Sequence, residues 1–408
     1  MIASLLIFLI FLILPFRVPE LRQRPIVLIY FIALFSREIF TLIHLFIFQV
    51  PGVGPDYADY HFAAEQIAQT GNWNSLSMGQ FFYENFLALF YYFFESSIIL
   101  GFQLSIAMFA ASFIFFIKIL DLIELGKYKN FSLIIFSLLP SSILLTSVTM
   151  PESGQLLFFL IATYYGIRFI ENSKYFDLFL LVIFASIMSF FHKGLLPFAF
   201  LLFLATIFFR FKHSYDKGNF SNSLFIKVSS ITLITFGIFS ILIYIYGTRS
   251  FGALDLLINK GPLEYIEWYR SNAHNTRATY GKILDTDSLI STYTTLIMMI
   301  IHYLYEPFFW KVDRFIDLYA NFESLLRAVF TISTLSLILY PENKSRNHYI
   351  YLLVLYFLIA SIWSFGTTNY GTSIRHNITH NWIIIVLGSY GVGNFIKQFL
   401  KKINKNYD

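Results

Sequence analysis

Residues 224–247 read LFIKVSSITLITFGIFSILIYIYG, and Lys227 is the one charged side chain among them. A membrane-crossing α-helix needs roughly 20 mostly apolar residues. Only helices and closed barrels can span a bilayer, because backbone polar groups find no water partners there. The run lacks the alternation of a barrel strand, so it is read as a helix. This stretch decides the fold class: an all-α, polytopic integral membrane protein.

Working outward, apolar runs predict further spans near 2–16, 26–48, 98–119, 131–147, 153–170, 176–191, 194–210, 322–340, 349–365 and 380–398. Two more runs, 82–94 and 288–305, are read as interfacial or re-entrant helices; 82–94 is too short for a comfortable crossing. The expectation is about eleven full spans, with thirteen as the alternative. Composition agrees. The chain has 408 residues, 57% hydrophobic and 13% charged, against roughly a quarter charged in soluble domains. Aromatic residues reach 20%, which suits lipid-facing helices and interfacial belts. The chain has no Cys, so disulfides, thiolate nucleophiles and cysteine metal sites are excluded. The net charge of +5 sits in short loops that set orientation and is no nucleic-acid signal. The first 16 residues lack a basic leader region and a clear cleavage site, so they are expected to be retained as a helix.

Orientation follows from the basic loops. Arg17, Arg22 and Arg24 place the first loop in the cytoplasm, whereas 49–80 contains no Lys or Arg and lies outside. Lys127 with Lys129, Arg168 with Lys174, and Arg210 with Lys212 and Lys217 mark inner loops, as do Lys344 with Arg346. Lys401, Lys402 and Lys405 put the C-terminal tail inside. The N-terminus is then outside. No internal repeat is evident, which weighs against repeat-built transporter folds. The whole chain, 1–408, reads as one transmembrane domain whose outer loops 49–97 and 248–321 form one functional face.

Ionisable groups at membrane depth are costly and read as functional by default. In this orientation nearly all unusual polar residues fall outside. From Asp56, the positions Tyr60, Ala63, Ala64, Ile67 and Ala68 keep helical spacing. Asp56 is therefore either a helix cap or a carboxylate held at the membrane surface to take a proton from a sugar hydroxyl. Asp59, Tyr60, His61, Glu65 and Glu84 accompany it. Glu152 follows Pro151 and opens an apolar helix, where the helix dipole alone also favours an acid. His192 and Lys193 interrupt apolar sequence; a snorkelling Lys and a phosphate ligand explain the pair about equally. Arg270, His274 and Arg277 lie in an outer loop, and a helical spacing of seven puts the two Arg on one face. They suit a lipid diphosphate or anionic headgroups. Gly366–Ser373 is a Gly/Thr-rich turn before Arg375 and His376, and its backbone N–H groups suit an anion. Glu306-Pro307-Phe308-Phe309-Trp310 reads as a structural interfacial turn, and His380 follows within the last span.

With the Asp56 loop outside, the chain resembles the GT-C superfamily of membrane glycosyltransferases. Asp56, Tyr60 four residues on and Gly71-Asn72-Trp73 match that superfamily's first outer loop. The second acid stands at Asp59 rather than directly after the first, where this chain has Tyr57, and Glu152 is similar to its second outer-face acid. Gly54 to Tyr60 and Phe191-His192-Lys193-Gly194 are also similar to bacterial O-antigen and exopolysaccharide polymerases. The resemblance covers the layout of most of the chain and some twenty residues of motif.

The resemblance implies an enzyme that uses polyprenyl-phosphate- or diphosphate-linked sugars on the outer face of the bacterial inner membrane. It would act in cell-surface polysaccharide biosynthesis, as a sugar transferase or as the repeat-unit polymerase. The expected catalytic set is Asp56, Asp59 and Glu152. The expected substrate-binding set is Tyr60, His61, His192, Lys193, Arg270, His274, Arg277, Arg375 and His376. Mg or Mn held by Asp56 and Asp59 is the cofactor, if there is one. The expected partners are the lipid-linked donor, a glycan or lipid-linked acceptor and membrane lipid, with no nucleic acid. The alternative is a lipid-linked oligosaccharide flippase or other transporter, which should instead carry charged or broken helices near the bilayer midplane.

Overall fold

The structure is a computed structural model and describes residues 2–73, 78–218, 237, 261–272, 277–281, 288–339 and 346–405. The run 224–247, apart from Gly237, and His274 lie outside the described residues. The apolar runs become α1 (Ile2–Arg17), α2 (Arg24–Phe46), α5 (Ile98–Leu122), α6 (Lys129–Leu138), α7 (Pro140–Thr146), α8 (Glu152–Asn172), α9 (Tyr175–Phe191) and α10 (Leu195–Asp216). The stretch 49–97 holds α3 (Asp56–Thr70) and α4 (Gln80–Phe94). The C-terminal part holds α11 (Pro262–Ser271), α12 (Leu289–Tyr305), α13 (Phe315–Leu339), α14 (Arg346–Gly366) and α15 (Tyr370–Lys405). Among the described residues the one β-type contact is an isolated bridge between Thr279 and Asn369.

Five helices, α2, α5, α8, α10 and α14, are long and apolar enough to cross a membrane; counting the bent pair formed by Gly126–Leu138 and α7 as one span makes six. α2 shows why lipid is the fitting solvent. Leu28, Ile32, Phe35, Ile39, Leu42 and Phe46 are all exposed, while Tyr30, Ala33, Leu34 and Arg37 on the other face are buried. A spacing of three to four keeps the exposed residues on one stripe, a contiguous apolar patch that water would penalise.

Within lipid, close packing and hydrogen bonds hold helices together. Trp382 of α15 is fully buried, with its ring edge-on to Phe159 of α8 at 5.5 Å and to Phe116 of α5 at 6.4 Å. Phe116 in turn stacks on Phe136 of α6 at 4.3 Å. α13 lies hard against α15, because a Cβ on Gly388 would run into Phe330 and one on Gly391 into Ser333.

The run 131–147 is not one straight helix. It breaks at Leu139–Pro140 with a 55° bend, because Pro has no N–H and its ring clashes with the preceding turn. The break parts the Ser137 carbonyl from the Ser141 N–H, and a charged side chain meets each half. Arg37 donates to Ser137 O at 3.1 Å, and Glu323 accepts from Ser141 N–H at 2.7 Å. Arg37 also donates to Thr146 Oγ1 and Ser142 Oγ, and Glu323 accepts from Ser141 Oγ. These buried charges depart from the expectation that nearly all ionisable residues lie at one face. Arg37 sits mid-helix inside an apolar run, where sequence spacing gives no sign of a partner 100 or more residues away.

Three helices stay at one end of the bundle. α4 begins with Gly79 N–H bonded to Phe190 O at the end of α9, and its Tyr91 faces Gly101 near the start of α5. α12 ends against α13. Its Leu304 and Tyr305 carbonyls accept from Arg327 and Ser324 of α13, and the chain then returns to Asp317 in the first turn of α13. α3 packs on α4 and completes this end, where α8 and α15 begin and α9 finishes.

Candidate functional site

Two helices start alike at this end. Pro55 and Pro151 each occupy the cap position, and each is followed by an acid as the first helical residue, Asp56 in α3 and Glu152 in α8. A Pro at the start fixes the backbone for a helix and removes an N–H that would have no partner there. Acids at these positions face the positive end of the helix dipole. Pro55 holds the cap position of α3, so Asp56, its first helical residue, is not the cap.

Both acids instead share one cation. Arg375, in the second turn of α15, donates from Nε to Glu152 Oε1 at 2.9 Å and from Nη1 to Asp56 Oδ2. The Glu152 side chain is 3% exposed, Arg375 29% and Asp56 41%, so the three are layered from the interior outward. Glu152 anchors the guanidinium, and Asp56 is the carboxylate that an incoming molecule reaches. Two carboxylates against one guanidinium leave the triad a net charge of −1 when all three are ionised.

Tyr60 borders the triad. Burial raises its hydroxyl pKa above the ordinary range, and Glu152, Asp56 and Glu84 raise it further while Arg375 opposes them. Its ring is edge-on to Tyr83 at 5.1 Å. On the other side stand two imidazoles. His376, next to Arg375, stacks on Trp363 at 3.8 Å and contacts Thr367 Oγ1 at 3.2 Å. His192 meets the edge of the same indole at 4.7 Å and lies 5.6 Å from His376. Burial, then Lys193 and Arg375, push the His192 pKa down to about 4. Its Nδ1 accepts the Gly194 N–H at 3.1 Å. The neutral ring therefore carries its proton on Nε2. Lys193 itself is exposed at the rim.

The other expected residues go elsewhere. Asp59 is exposed, and no side-chain hydrogen bond or ion pair joins it to a described residue. His61 is buried between α3 and α4, with Nδ1 3.0 Å from Tyr91 Oη. Arg270 and Arg277 do not share a helix face, because α11 stops at Ser271. Arg270 is fully buried and donates to the carbonyls of Ser364 and Thr367 at 2.8 and 3.1 Å. Arg277 forms a two-pronged pair with Asp317, at 2.5 and 3.0 Å, and donates to Tyr370 Oη at 2.7 Å. Tyr280 N–H and Tyr370 N–H pair with Thr368 O and Ala278 O. Arg270 on one side and Arg277, Ala278 and Tyr280 on the other thus hold the turn from which Arg375 is launched.

Sequence reasoning missed Trp363, which sat inside an apolar span with nothing to distinguish it, and Asp317, one acid in a mixed stretch. Arg375 was singled out as a phosphate ligand, but it is engaged by two carboxylates. Glu152 takes its Nε and Asp56 its Nη1, so a phosphate meets the guanidinium beside two carboxylates. Of the two acids expected to hold a metal, Asp56 pairs with Arg375, and Asp59, one turn along α3, has no side-chain bond to that pair. Among the described residues no group of three or more His, Asp or Glu side chains is arranged to hold a metal ion. No protein-family model, curated protein or solved structure matches the chain.

Proposed function

We propose that the protein is a membrane-embedded glycosyltransferase of GT-C-like layout, with about eleven spans and its N-terminus outside. It uses polyprenyl-phosphate- or diphosphate-linked sugars at the outer face of a bacterial inner membrane, in cell-surface polysaccharide assembly. The observation that carries this reading is the convergence of Asp56, Glu152 and Arg375, three residues from distant parts of the chain, at one end of an apolar bundle. Such a triad holds one reachable carboxylate in a defined position, as a positioned base requires.

In this reading Asp56 takes the proton from an acceptor hydroxyl as its oxygen attacks the anomeric carbon of the donor. The bond from that carbon to the phosphate oxygen breaks, and the lipid phosphate or diphosphate leaves with the electron pair. Arg375 releases Asp56 as the base takes up its proton and turns its charge to the departing phosphate, while Glu152 keeps the guanidinium in place. Fixed charge of this kind is a main source of transition-state stabilisation. His192 Nε2–H and His376 line the same space. None of these steps is routed through a metal.

The test is Asp56→Asn in a deletion strain. Asn keeps the size of the side chain but loses its negative charge, and positioned bases are typically worth ~10²–10⁴ in rate. The variant should insert and accumulate normally and fail to restore surface polysaccharide. Wild-type polysaccharide length and amount would remove Asp56 from the chemistry.

One observation favours the second reading, a lipid-linked oligosaccharide transporter. The broken helix α6–α7 and the buried Arg37, Glu323 and Arg327 are the kind of interior feature that alternating-access proteins use. In the present arrangement each arginine nitrogen with an assigned contact and both Glu323 oxygens serve helix backbones or neighbouring polar side chains, which is a structural use.

A further inference from the structure

Arg270 has more hydrogen-bonding capacity than its surroundings use. It lies in the last turn of α11 and is 0% exposed. Nη1 is satisfied by the Ser364 and Thr367 carbonyls, but Nε and Nη2 donate to nothing. Among the described residues no acid forms an ion pair with Arg270; Asp317 is engaged by Arg277 and Glu306 by Lys311 and His302. A guanidinium taken out of water without a counter-charge is strongly disfavoured. Removing donors from water without acceptors adds to that cost.

A second buried donor stands beside it. Tyr280 is 3% exposed, and its hydroxyl lies near the Ser373 side chain without a well-formed hydrogen bond to it. Gly281 borders the same place: a Cβ there would be in ordinary contact, 3.7 Å from Arg270 Nη2 and 3.7 Å from the His302 ring. The unused groups of Arg270 are donors, and the Tyr280 hydroxyl can donate as well. What completes it is an acceptor with negative charge and several oxygens. The Nε–Nη2 edge of a guanidinium matches two oxygens of an oxyanion, and Tyr280 Oη offers a third contact out of that plane.

We infer that Arg270 and Tyr280 form a binding site for a phosphate-class anion. It adjoins the Asp56–Glu152–Arg375 triad through one residue: Thr367 accepts from Arg270 through its carbonyl and touches His376 through its hydroxyl. The inference rests on the proposed function only for the source of the phosphate, a lipid-linked diphosphate rather than a free anion.

The test uses the full-length protein in phosphatidylcholine nanodiscs, titrated calorimetrically with inorganic diphosphate and, separately, with farnesyl diphosphate. Both should bind saturably at one site. Tighter binding of the farnesyl compound identifies a lipid-linked source, and equal affinity identifies a free anion. Arg270→Lys should weaken binding about tenfold or more, because the charge stays but the fork is lost. Tyr280→Phe should weaken it roughly threefold or more, since a hydrogen bond to a charged group is lost. Arg314→Gln, which removes an exposed cation near the start of α13, should bind like wild type. Absence of saturable diphosphate binding by the wild type would overturn the inference. So would wild-type affinity in either Arg270→Lys or Tyr280→Phe, and where the former does not fold, the latter decides. Diphosphate binding stands apart from sugar transfer: an Asp56→Asn strain with normal polysaccharide would sink the transferase reading and leave this site intact.

Discussion

Arg375 Nε lies 2.9 Å from Glu152 Oε1, a contact between residues 223 positions apart. Glu152 is buried and its second oxygen, Oε2, has no partner. The guanidinium is therefore what makes an acid tolerable at that place, and Asp56 shares the same cation from the open side.

Arg375→Ala should be both inactive and less stable, because it strands the buried Glu152 carboxylate. Breaking a buried pair from one side costs about 3–5 kcal/mol, an upper bound here since Arg375 is partly exposed. Adding Glu152→Gln should recover part of that stability by removing the stranded charge, without recovering polysaccharide. Arg375→Lys should be more stable than Arg375→Ala and still impaired, since an ammonium cannot reproduce the fork. Thermal unfolding of the purified variants, beside polysaccharide profiles, separates these outcomes. If the double variant melts no higher than Arg375→Ala, the stranded-charge account is wrong.

The helix break gives a second expectation. Glu323→Ala leaves the Ser141 N–H and hydroxyl without their acceptor, at about 1–3 kcal/mol for each stranded group. Glu323→Gln keeps an acceptor oxygen for the N–H and should cost clearly less. Melting temperatures in one detergent would show the order, and equal losses would mean that the carboxylate does not hold the break.

Topology is open to direct measurement in a chain without Cys. Asn72→Cys, exposed beyond the Gly71 that ends α3, should react with an impermeant thiol reagent added to intact cells. Asn172→Cys, exposed at the end of α8, should react only after the membrane is opened. Labelling of position 172 in intact cells would reverse the orientation and move the triad to the inner face.

Much of the architecture was legible in the chain. Long apolar runs predict helices because the bilayer leaves the backbone no other partners, and the runs resolve as helices wherever they are described. Asp56, Glu152, Arg375, His192 and His376 stood out because ionisable residues are rare beside apolar sequence. What each one touches was beyond reach. Spacing along a helix reports which residues share a face, not which face of another helix meets it, so Arg375 read as a phosphate ligand and Arg270 and Arg277 as one pair. Only the packing of α3, α8 and α15 brings Asp56 and Glu152 to Arg375. Only the bend at Pro140 gives Arg37 and Glu323 their partners, because a backbone group's need for a partner appears when the helix around it breaks.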